Sequence, residues 1–242
     1  MRVLVVSDVH SNLVALEAVL ADAQPFDRVW SLGDIVGYGP EPNRCIALLS
    51  EYDHLAIAGN HDWGVLGRLD LSRFNAVAKL ANQWNRDQLD PSSHAYLSLL
   101  ETIQIQEQFT TAHGSPRSPI WEYIMHTSVA LANFEHFDTP VCLVGHTHIP
   151  IMLRLEDEGE LEILDPDPTK EPIDLSHGRH IINPGSVGQP RDGDPRAAYA
   201  LVDTEAMTIQ FRRVVYDIAQ TQQAMREAGL PDSVASRLES GW

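Results

Sequence analysis

The sequence predicts an α/β protein in which helices pack on a β-sheet. Through the first half, short apolar runs of strand length alternate with segments whose apolar residues recur at helical spacing. The second half leans towards short strands separated by Gly, Pro and Asp. Alternating elements with short connections are typical of a sheet covered by helices. With 242 residues and 43% hydrophobic content, we expect residues 1–242 to form a single domain.

The individual elements follow from local patterns. The first strand, Val3 to Ser7, is apolar without polar alternation, which indicates burial on both faces. The first helix begins after an N-cap at Ser11 or Asn12. The predicted strands are 3–7, 28–32, 55–58, 103–106, 109–112, 141–144, 151–155, 161–164, 180–182, 198–202 and 208–213. The predicted helices are 12–20, 43–50, 127–134 and 217–228, with a helical insertion near 71–100 and a polar tail after Pro231.

Composition and charge exclude several classes of partner. The 17 basic and 34 acidic residues give a formal net charge of −17, which argues against a broad nucleic-acid surface or an anionic-membrane surface. No apolar run reaches membrane-spanning length and the first residues lack signal-peptide architecture, so a cytoplasmic protein is expected. Cys45 and Cys142 stand in apolar surroundings and are expected to be reduced core residues.

Polar side chains follow several predicted strands at the point where each strand ends. Asp8 and His10 come directly after the first strand. Taken alone, such residues are usually turn residues or ordinary histidines. Here the pattern recurs at the carboxyl ends of strands, where sheet-based folds bind their ligands. The later instances are Gly33-Asp34, Gly59-Asn60-His61-Asp62, His113-Gly114 and Gly145-His146-Thr147-His148.

These side chains predict a metal site. The candidate ligands are Asp8, His10, Asp34, Asn60, His113, His146 and His148. Mixed oxygen and nitrogen ligands without thiolate suit divalent Mn, Fe, Ni or Zn, and also admit Mg. Seven donors exceed the needs of one tetrahedral ion and suit two ions that share a carboxylate. Two ions about 3.5–4 Å apart are a recurring device for phosphoester hydrolysis.

The ordered set D-x-H, GD, GNHD, H and GHTH resembles the calcineurin-like metallophosphoesterase superfamily. The resemblance implies a four-layer α/β/β/α sandwich of two mixed sheets. It assigns Asp8, His10, Asp34 and His148 to one ion and Asp34, Asn60, His113 and His146 to the other, with Asp34 as the bridge. His61 matches the histidine that contacts the scissile phosphate and protonates the leaving group.

A second stretch, 181–191, resembles a loop of the small bacterial and archaeal phosphodiesterase branch of that superfamily. Ser186, Gln189 and Arg191 are candidates to face the metal cleft, although an ordinary turn between strands accounts for them equally well. Arg191 is the best candidate for a phosphate contact, because a guanidinium matches phosphate geometry. Tyr38, shortly after Asp34, is a candidate for stacking on an aromatic leaving group.

The sequence also departs from the protein serine/threonine phosphatase branch. That branch has Asp-Arg-Gly after the GD motif and GNHE later, whereas this chain has Gly37-Tyr38-Gly39 and GNHD. The first change removes a phosphate-clamping Arg and the Asp partner expected for His61. The sequence therefore favours a phosphodiesterase in which a hydroxide bridging two ions attacks a small phosphoester, for example a nucleotide. The alternatives are a phosphomonoesterase, a (di)nucleotide polyphosphate hydrolase and a non-catalytic scaffold. Specificity is expected from residues 66–100 and from the loops around Tyr38 and 115–121.

Overall fold

Two six-stranded β-sheets face each other in the computed structural model, which describes residues 1–242. The strands are β1 (Arg2–Val6), β2 (Arg28–Ser31), β3 (His54–Ala56), β4 (Ile103–Gln106), β5 (Phe109–Ala112), β6 (Val141–Leu143), β7 (Ile151–Leu155), β8 (Leu161–Leu164), β9 (Ile173–Asp174), β10 (Arg179–Asn183), β11 (Ala197–Asp203) and β12 (Thr208–Val214). The helices are α1 (Leu13–Asp22), α2 (Pro42–Leu49), α3 (Asn60–Val65), α4 (Ala76–Gln88), α5 (Pro91–Leu99), α6 (Thr127–Asn133), α7 (Ile218–Glu227) and α8 (Asp232–Ser236).

Each sheet is mixed and contains three adjacent parallel strands. The first sheet has the order β3-β2-β1-β11-β12-β9, and its parallel strands are β1, β2 and β3. The second sheet has the order β4-β5-β6-β10-β7-β8, and its parallel strands are β5, β6 and β10. The other neighbours pair antiparallel. The molecule therefore has two sets of parallel carboxyl ends.

The sheets pack through an apolar core to which both contribute. Seventeen buried side chains form the cluster between them, including Val3 and Val5 of β1. Leu4 and Val6 point to the opposite face, towards the helices. Because β1 is buried on both faces, it needs apolar residues at every position, as predicted.

Helices cover the outer face of each sheet. Helices α1 and α2 pack on the first sheet in a cluster of 22 buried residues, and α6 packs on the second sheet in a cluster of 8. The predicted four-layer α/β/β/α sandwich is thus confirmed. A further cluster joins α4, α7 and α8 with Tyr38 at one edge of the sandwich. None of the eight helices combines the length and apolar composition that a bilayer-spanning segment needs.

Most predicted elements are present, and the structure differs from the prediction at α3, at β9 and after Pro231. The predicted cap is confirmed, since the Asn12 side chain accepts the Ala15 N–H. Residues 71–100 are largely helical, comprising a 3₁₀ turn at Leu71–Arg73 followed by α4 and α5. Helix α3 was not predicted, because its six residues carry motif side chains rather than an apolar stripe. The two-residue strand β9 is too short to have a pattern of its own.

The polar tail predicted after Pro231 instead folds into α8 and a following 3₁₀ turn. Val234, Ala235 and Leu238 from this region are buried in the cluster with α4 and α7. These three apolar residues are spaced for one turn of helix, and only the packing partner makes the turn stable. Both cysteines are buried and unpaired, Cys45 on the inner face of α2 and Cys142 in β6 under α6, in agreement with the prediction.

Candidate metal centre

The carboxyl ends of the parallel strands bring all seven predicted ligands to one edge of the sandwich. Asp8 and His10 follow β1, Asp34 follows β2, and Asn60 begins α3 after β3. His113 follows β5, and His146 and His148 follow β6. All seven side chains are buried. Ligand atoms of His and Asp lie within 4.8 Å of one another in three groups: Asp8, His10 and His148; His10, Asp34 and His61; and Asp34, His113 and His146.

Asp34 is the carboxylate that two of these groups share, the group with His10 and His61 and the group with His113 and His146. Its Oδ1 accepts the backbone N–H of His61 at 2.8 Å. Its Oδ2 lies 3.7 Å from Nε2 of His10 and 3.3 Å from Nε2 of His113. The free oxygen thus lies between the ring nitrogens of the two ends of the site, which is the arrangement that a bridging carboxylate requires.

Backbone carbonyls determine which ring nitrogen faces the centre in three of the four histidine ligand candidates. Nδ1 lies 3.2 Å from the Val36 carbonyl in His10, 2.8 Å from the Leu32 carbonyl in His113 and 2.5 Å from the Gln189 carbonyl in His148. A carbonyl only accepts, so each Nδ1 carries the proton and each Nε2 directs a lone pair inwards when the ring is neutral. Such second contacts are a regular feature of metal-binding histidines.

When the rings are neutral, the inward-facing atoms cannot satisfy one another. Nε2 of His10 and Nε2 of His148 lie 3.2 Å apart, and Nε2 of His113 lies 3.1 Å from Oδ1 of Asn60, which is also an acceptor. Oδ1 of Asp8 and Nε2 of His146 are buried without any hydrogen-bond partner. Buried acceptors without donors are costly. Divalent cations satisfy all of these atoms, so the donor set fits metal binding.

The electrostatics of the protein alone show how crowded the charges are. Burial raises the pKa of Asp8 to about 6. Burial opposes a charge on His113, but the Asp34 carboxylate overrides it and raises the pKa of His113 to about 9. Burial, followed by the positive charge of Arg191, lowers the pKa of His148 well below its usual range. A proton on His113 thus offsets the Asp34 carboxylate when no cation does.

Backbone strain is concentrated at the same edge. Nine non-glycine residues have positive φ, and five of them are predicted ligands: Asp8, His10, Asp34, His146 and His148. Ser11 and Tyr38 are also in the site region, so only Glu107 and Met207 lie elsewhere. This left-handed conformation costs roughly 1–2 kcal/mol per residue. The fold therefore holds the ligand-bearing turns in geometries that their own backbone disfavours, as functional sites often do.

Two motif glycines are required by close approach. A Cβ on Gly59 would lie 2.0 Å from Oδ1 of Asp34, and a Cβ on Gly145 would lie 2.0 Å from Oγ of Ser7. Ser7 in turn donates to Oδ2 of Asp8 at 2.7 Å. The glycines of the GNH and GH motifs thus let neighbouring turns pack directly on the two candidate carboxylate ligands.

His61 contributes a ring nitrogen to the group with His10 and Asp34. Burial lowers its pKa to about 4. Its Nδ1 lies 2.8 Å from Nδ2 of Asn82 in α4. Asn82 is thus a side-chain partner of His61. The motifs offered no candidate for this partner, because the Asp of the protein phosphatase branch is absent here.

Asn82 and Asn85 lie on one buried face of α4, and no motif of the sequence identifies them as site residues. Oδ1 of Asn85 accepts the Gly37 N–H at 3.1 Å and the Ser11 hydroxyl at 2.7 Å, and its Nδ2 donates to the Gly39 carbonyl. Asn85 thus ties α4 to the loop that follows Asp34. The sequence does contain one sign of their role: two asparagines three residues apart fall on the apolar stripe of an amphipathic helix. Buried polar residues need specific partners, so such a pair indicates a polar contact.

The other predicted substrate-binding residues lie beside the ligands. Arg191 is half-buried, and its Nη2 lies 2.9 Å from Oε1 of Gln189 and 3.5 Å from the Tyr38 hydroxyl. Its Nε has no hydrogen-bond partner. Tyr38 is only 4% exposed, and its ring contacts both His10 and His61. Ser186 is buried and donates to the Asp8 carbonyl, so its hydroxyl holds the first ligand turn.

Three aromatic rings, those of Phe74, Trp121 and Tyr123, border the centre on the outer side of His61 and His146. The Phe74 ring lies 5.2 Å from His61 and 5.0 Å from Trp121. Tyr123 stacks on His146 with ring centroids 3.8 Å apart and is 45% exposed. These rings, called here the aromatic rim, come from the 66–100 segment and from the loop after β5. Residues 115–121 were expected to affect specificity, and Trp121 belongs to that stretch.

The six other histidines lie outside the three metal-ligand groups. These residues are His54, His94, His126, His136, His177 and His180.

The chain belongs to the calcineurin-like phosphoesterase superfamily, since the model of that domain matches residues 1–207. The predicted superfamily is thereby confirmed. Members of this family are metal-dependent phosphoester hydrolases, and the His and Asp groups of this chain agree with that chemistry.

Three of the similar proteins come from bacteria and archaea. An uncharacterized protein from Methanocaldococcus jannaschii is 37% identical over 245 residues, covering 98% of this chain and 97% of the relative. The crystal structure of a metallophosphoesterase from Sphaerobacter thermophilus shares 51% identity with a TM-score of 0.89, covering 100% of this chain and 99% of that one. A hypothetical protein from Pyrococcus horikoshii OT3 shares the fold, with 21% identity, a TM-score of 0.82 and coverage of 100% and 98%.

Proposed function

We propose that this protein is a phosphodiesterase that uses two divalent ions. The observation that carries the proposal is the convergence of unpaired acceptors around a shared carboxylate, Asp34. One ion would be held by Asp8, His10, Asp34 and His148, and the other by Asp34, Asn60, His113 and His146. Mn, Fe, Ni and Zn suit this mixed oxygen and nitrogen set, and Mg is a weaker candidate because imidazole is not among its preferred ligands.

When bound, two such ions polarise the phosphate and make a nucleophile for in-line attack available at neutral pH. The chain's own residues prepare the site for an anion. Burial is the main cause that lowers the pKa of His10, His61, His146 and His148, and the nearby positive charge of Arg191 lowers each of them further. His61 and Arg191 are the donors placed to stabilise the charge that develops on the phosphate oxygens.

The charge of the site favours a diester over a monoester. A diester carries one negative charge, whereas a monoester carries up to two near neutral pH. The loop after β2 presents Gly37 and Tyr38 to the site, where the protein phosphatase branch has a clamping Arg. Arg191 is the guanidinium that recurs among the charges acting on the buried histidines. One guanidinium beside the ions matches a monoanionic phosphate.

The aromatic rim indicates what accompanies the phosphate. Trp121 and Tyr123 present partly exposed rings next to His146. Stacking on such rings is worth about 1–3 kcal/mol for a nucleobase. We therefore propose a small substrate with an aromatic or nucleoside group. The rim takes the stacking role that sequence analysis gave to Tyr38, whose ring is largely enclosed.

A substrate panel tests the proposal against its rivals. Metal-stripped protein is reconstituted with Mn, Fe, Ni, Zn or Mg, and hydrolysis of bis-para-nitrophenyl phosphate is compared with that of the monoester and of a dinucleotide polyphosphate. We expect metal-dependent diester cleavage that His61→Ala reduces and that the exposed-site control His94→Ala retains. Faster cleavage of the monoester or of the polyphosphate would replace the proposal with one of those two activities. Two bound ions without turnover of any substrate would favour the scaffold alternative.

A further inference from the structure

Asn82 is a polar side chain buried in the middle of α4, directly behind His61. Its Nδ2 donates to the Ala78 carbonyl at 3.0 Å and lies 2.8 Å from Nδ1 of His61. The Ala78 carbonyl determines which way the amide faces, because a carbonyl oxygen only accepts. The reversed amide would place two oxygens against each other. The second N–H of Asn82 therefore points at Nδ1 of His61.

A donor facing Nδ1 decides where the ring proton of His61 resides. Nδ1 must accept, so the proton lies on Nε2. The ring has little room to reorient, since Tyr38 lies 4.6 Å away on one side and Phe74 meets it edge-on at 5.2 Å. With Nδ1 occupied by Asn82, Nε2 is the nitrogen left to face His10, Asp34 and the substrate.

We propose that Asn82 is a positioning residue that holds His61 in the Nε2–H tautomer, so that His61 acts as a hydrogen-bond donor to a phosphate oxygen and keeps its proton throughout the reaction. The inference rests on the proposed phosphodiesterase function and deepens it. An Asp in place of Asn82 would accept the Nδ1 proton and support proton transfer from Nε2. Asn82 cannot accept there, because its oxygen faces away from the ring.

A His61 ring that keeps its proton restricts which leaving groups the site can release. Water adds to phosphorus and gives up one proton to solvent. The bond between phosphorus and the leaving oxygen breaks, and that oxygen departs with the electron pair and takes a proton from solvent. Because His61 does not supply that proton, the rate depends strongly on how stable the leaving group is as an anion. The site would therefore favour aryl leaving groups over alkoxides.

The tautomer is measured directly by ¹⁵N NMR of histidine-labelled, zinc-loaded protein, with the His61 resonances identified from His61→Ala. We expect a protonated-type Nε2 and an unprotonated-type Nδ1. A protonated Nδ1 would overturn the proposal. This measurement needs neither turnover nor an Asn82 variant, so it holds even if the phosphodiesterase assignment fails.

The functional test uses aryl phosphodiesters that differ in leaving-group pKa. Asn82→Ala should lower kcat/KM by roughly 10–100-fold, the usual effect of losing a second-layer partner, and by a similar factor for every leaving group. Asn82→Asp should instead give a shallower dependence on leaving-group pKa than the wild type. The neighbouring exposed control, Gln83→Ala, should leave both rate and slope unchanged.

The outcomes distinguish the positioning role of Asn82 from the phosphodiesterase function. Equal losses in the Ala and Asp variants with the wild-type slope would mean that Asn82 is merely structural, and the positioning role would be rejected. A shallow slope already present in the wild type would also overturn it, because His61 would then be protonating the leaving group. Absence of diester hydrolysis together with the Nε2–H tautomer would reject the function while leaving the tautomer assignment intact.

Discussion

The two sheets contribute different chemistry to the candidate metal centre. The parallel strands of the first sheet supply every oxygen ligand, namely Asp8, Asp34 and Asn60, whereas those of the second sheet supply only imidazoles, His113, His146 and His148. In the proposed assignment to two ions, neither sheet carries a full ligand set for either ion. A cation bound between the sheets would therefore join them at this edge and couple metal binding to the packing of the sandwich.

The sheets also differ in how much apolar packing supports them from outside. The cluster under α1 and α2 contains 22 buried residues, but the cluster under α6 contains 8. Ile105 and Ile163 on outer strands of the second sheet are 64% and 68% exposed. The position of the second sheet thus depends more on the central core and on the metal edge than that of the first.

The largest expected effect comes from Asp34, the carboxylate that is proposed to bind both ions. Asp34→Ala should abolish binding of both ions and reduce diester hydrolysis to background, because both ions lose a ligand and the site loses a neutralising charge. His148→Ala, in the second sheet, should weaken only one ion and be partly rescued by excess metal. Metal content and hydrolysis rate measure both, with the exposed Asp87→Ala as control. Two tightly bound ions in Asp34→Ala would refute the bridging assignment.

Metal removal should destabilise the whole sandwich. An ion present at 100 times its Kd stabilises the folded state by about 2.7 kcal/mol, which corresponds to a melting temperature higher by roughly 5–10 °C for a chain of this size. Thermal unfolding with and without metal checks this, and Asp34→Ala should lose most of the shift. An unchanged melting temperature in the wild type would show that the edge does not couple the sheets.

A methyl group on Gly59 should disturb the first-sheet side of the centre. The added Cβ would overlap Oδ1 of Asp34, and relieving such a contact typically costs about 1–3 kcal/mol. Denaturant unfolding measures the loss, and metal affinity should fall with it. The matched control is Gly159→Ala, where φ is +86° but no atom lies within 4 Å, so only backbone strain is added. Equal losses of metal affinity in both variants would contradict the close-approach explanation.

The smallest effect concerns the polar contacts that brace the second sheet. Glu122, in the loop after His113, pairs with Arg117 and accepts from Asn133 and Ser115, each at 2.8 Å. Chiefly through the contact with Arg117, these partners lower its pKa from 4.5 to about 2. Because the pKa is depressed in the folded state, the stabilisation is complete above pH 4.5 and is lost as the pH falls towards 2.

Glu122→Gln should therefore reduce the free energy of unfolding by about 1 kcal/mol or less at pH 7, in line with partly exposed ion pairs. The difference from the wild type should shrink as the pH is lowered from 4.5. Denaturant unfolding at several pH values measures it. A difference that grows towards acid pH would show that the pKa shift has been assigned the wrong sign.

Much of the architecture was determined by the sequence alone, because the relevant patterns are local. The unbroken apolar run of β1 requires burial on both faces, and the Asn12 cap and the helical spacing of α1 lie within a few residues of each other. The ordered motif at the strand ends identified the same seven candidate ligands that the structure brings together. Parallel strands place their carboxyl ends at one edge whatever the details of packing.

Only the tertiary structure decided how those residues are oriented and supported. Asn82 meets His61 from a helix 21 residues further along, and Asn85 bonds to Gly37 across 48 residues. Backbone carbonyls that are distant in the sequence determine which ring nitrogen faces the centre, as the Leu32 carbonyl does for His113. Hydrophobic periodicity predicts which face of an element is buried, but it does not predict which polar group that face will contact. That pairing is determined by the packing of the two sheets and of α4 against their shared edge.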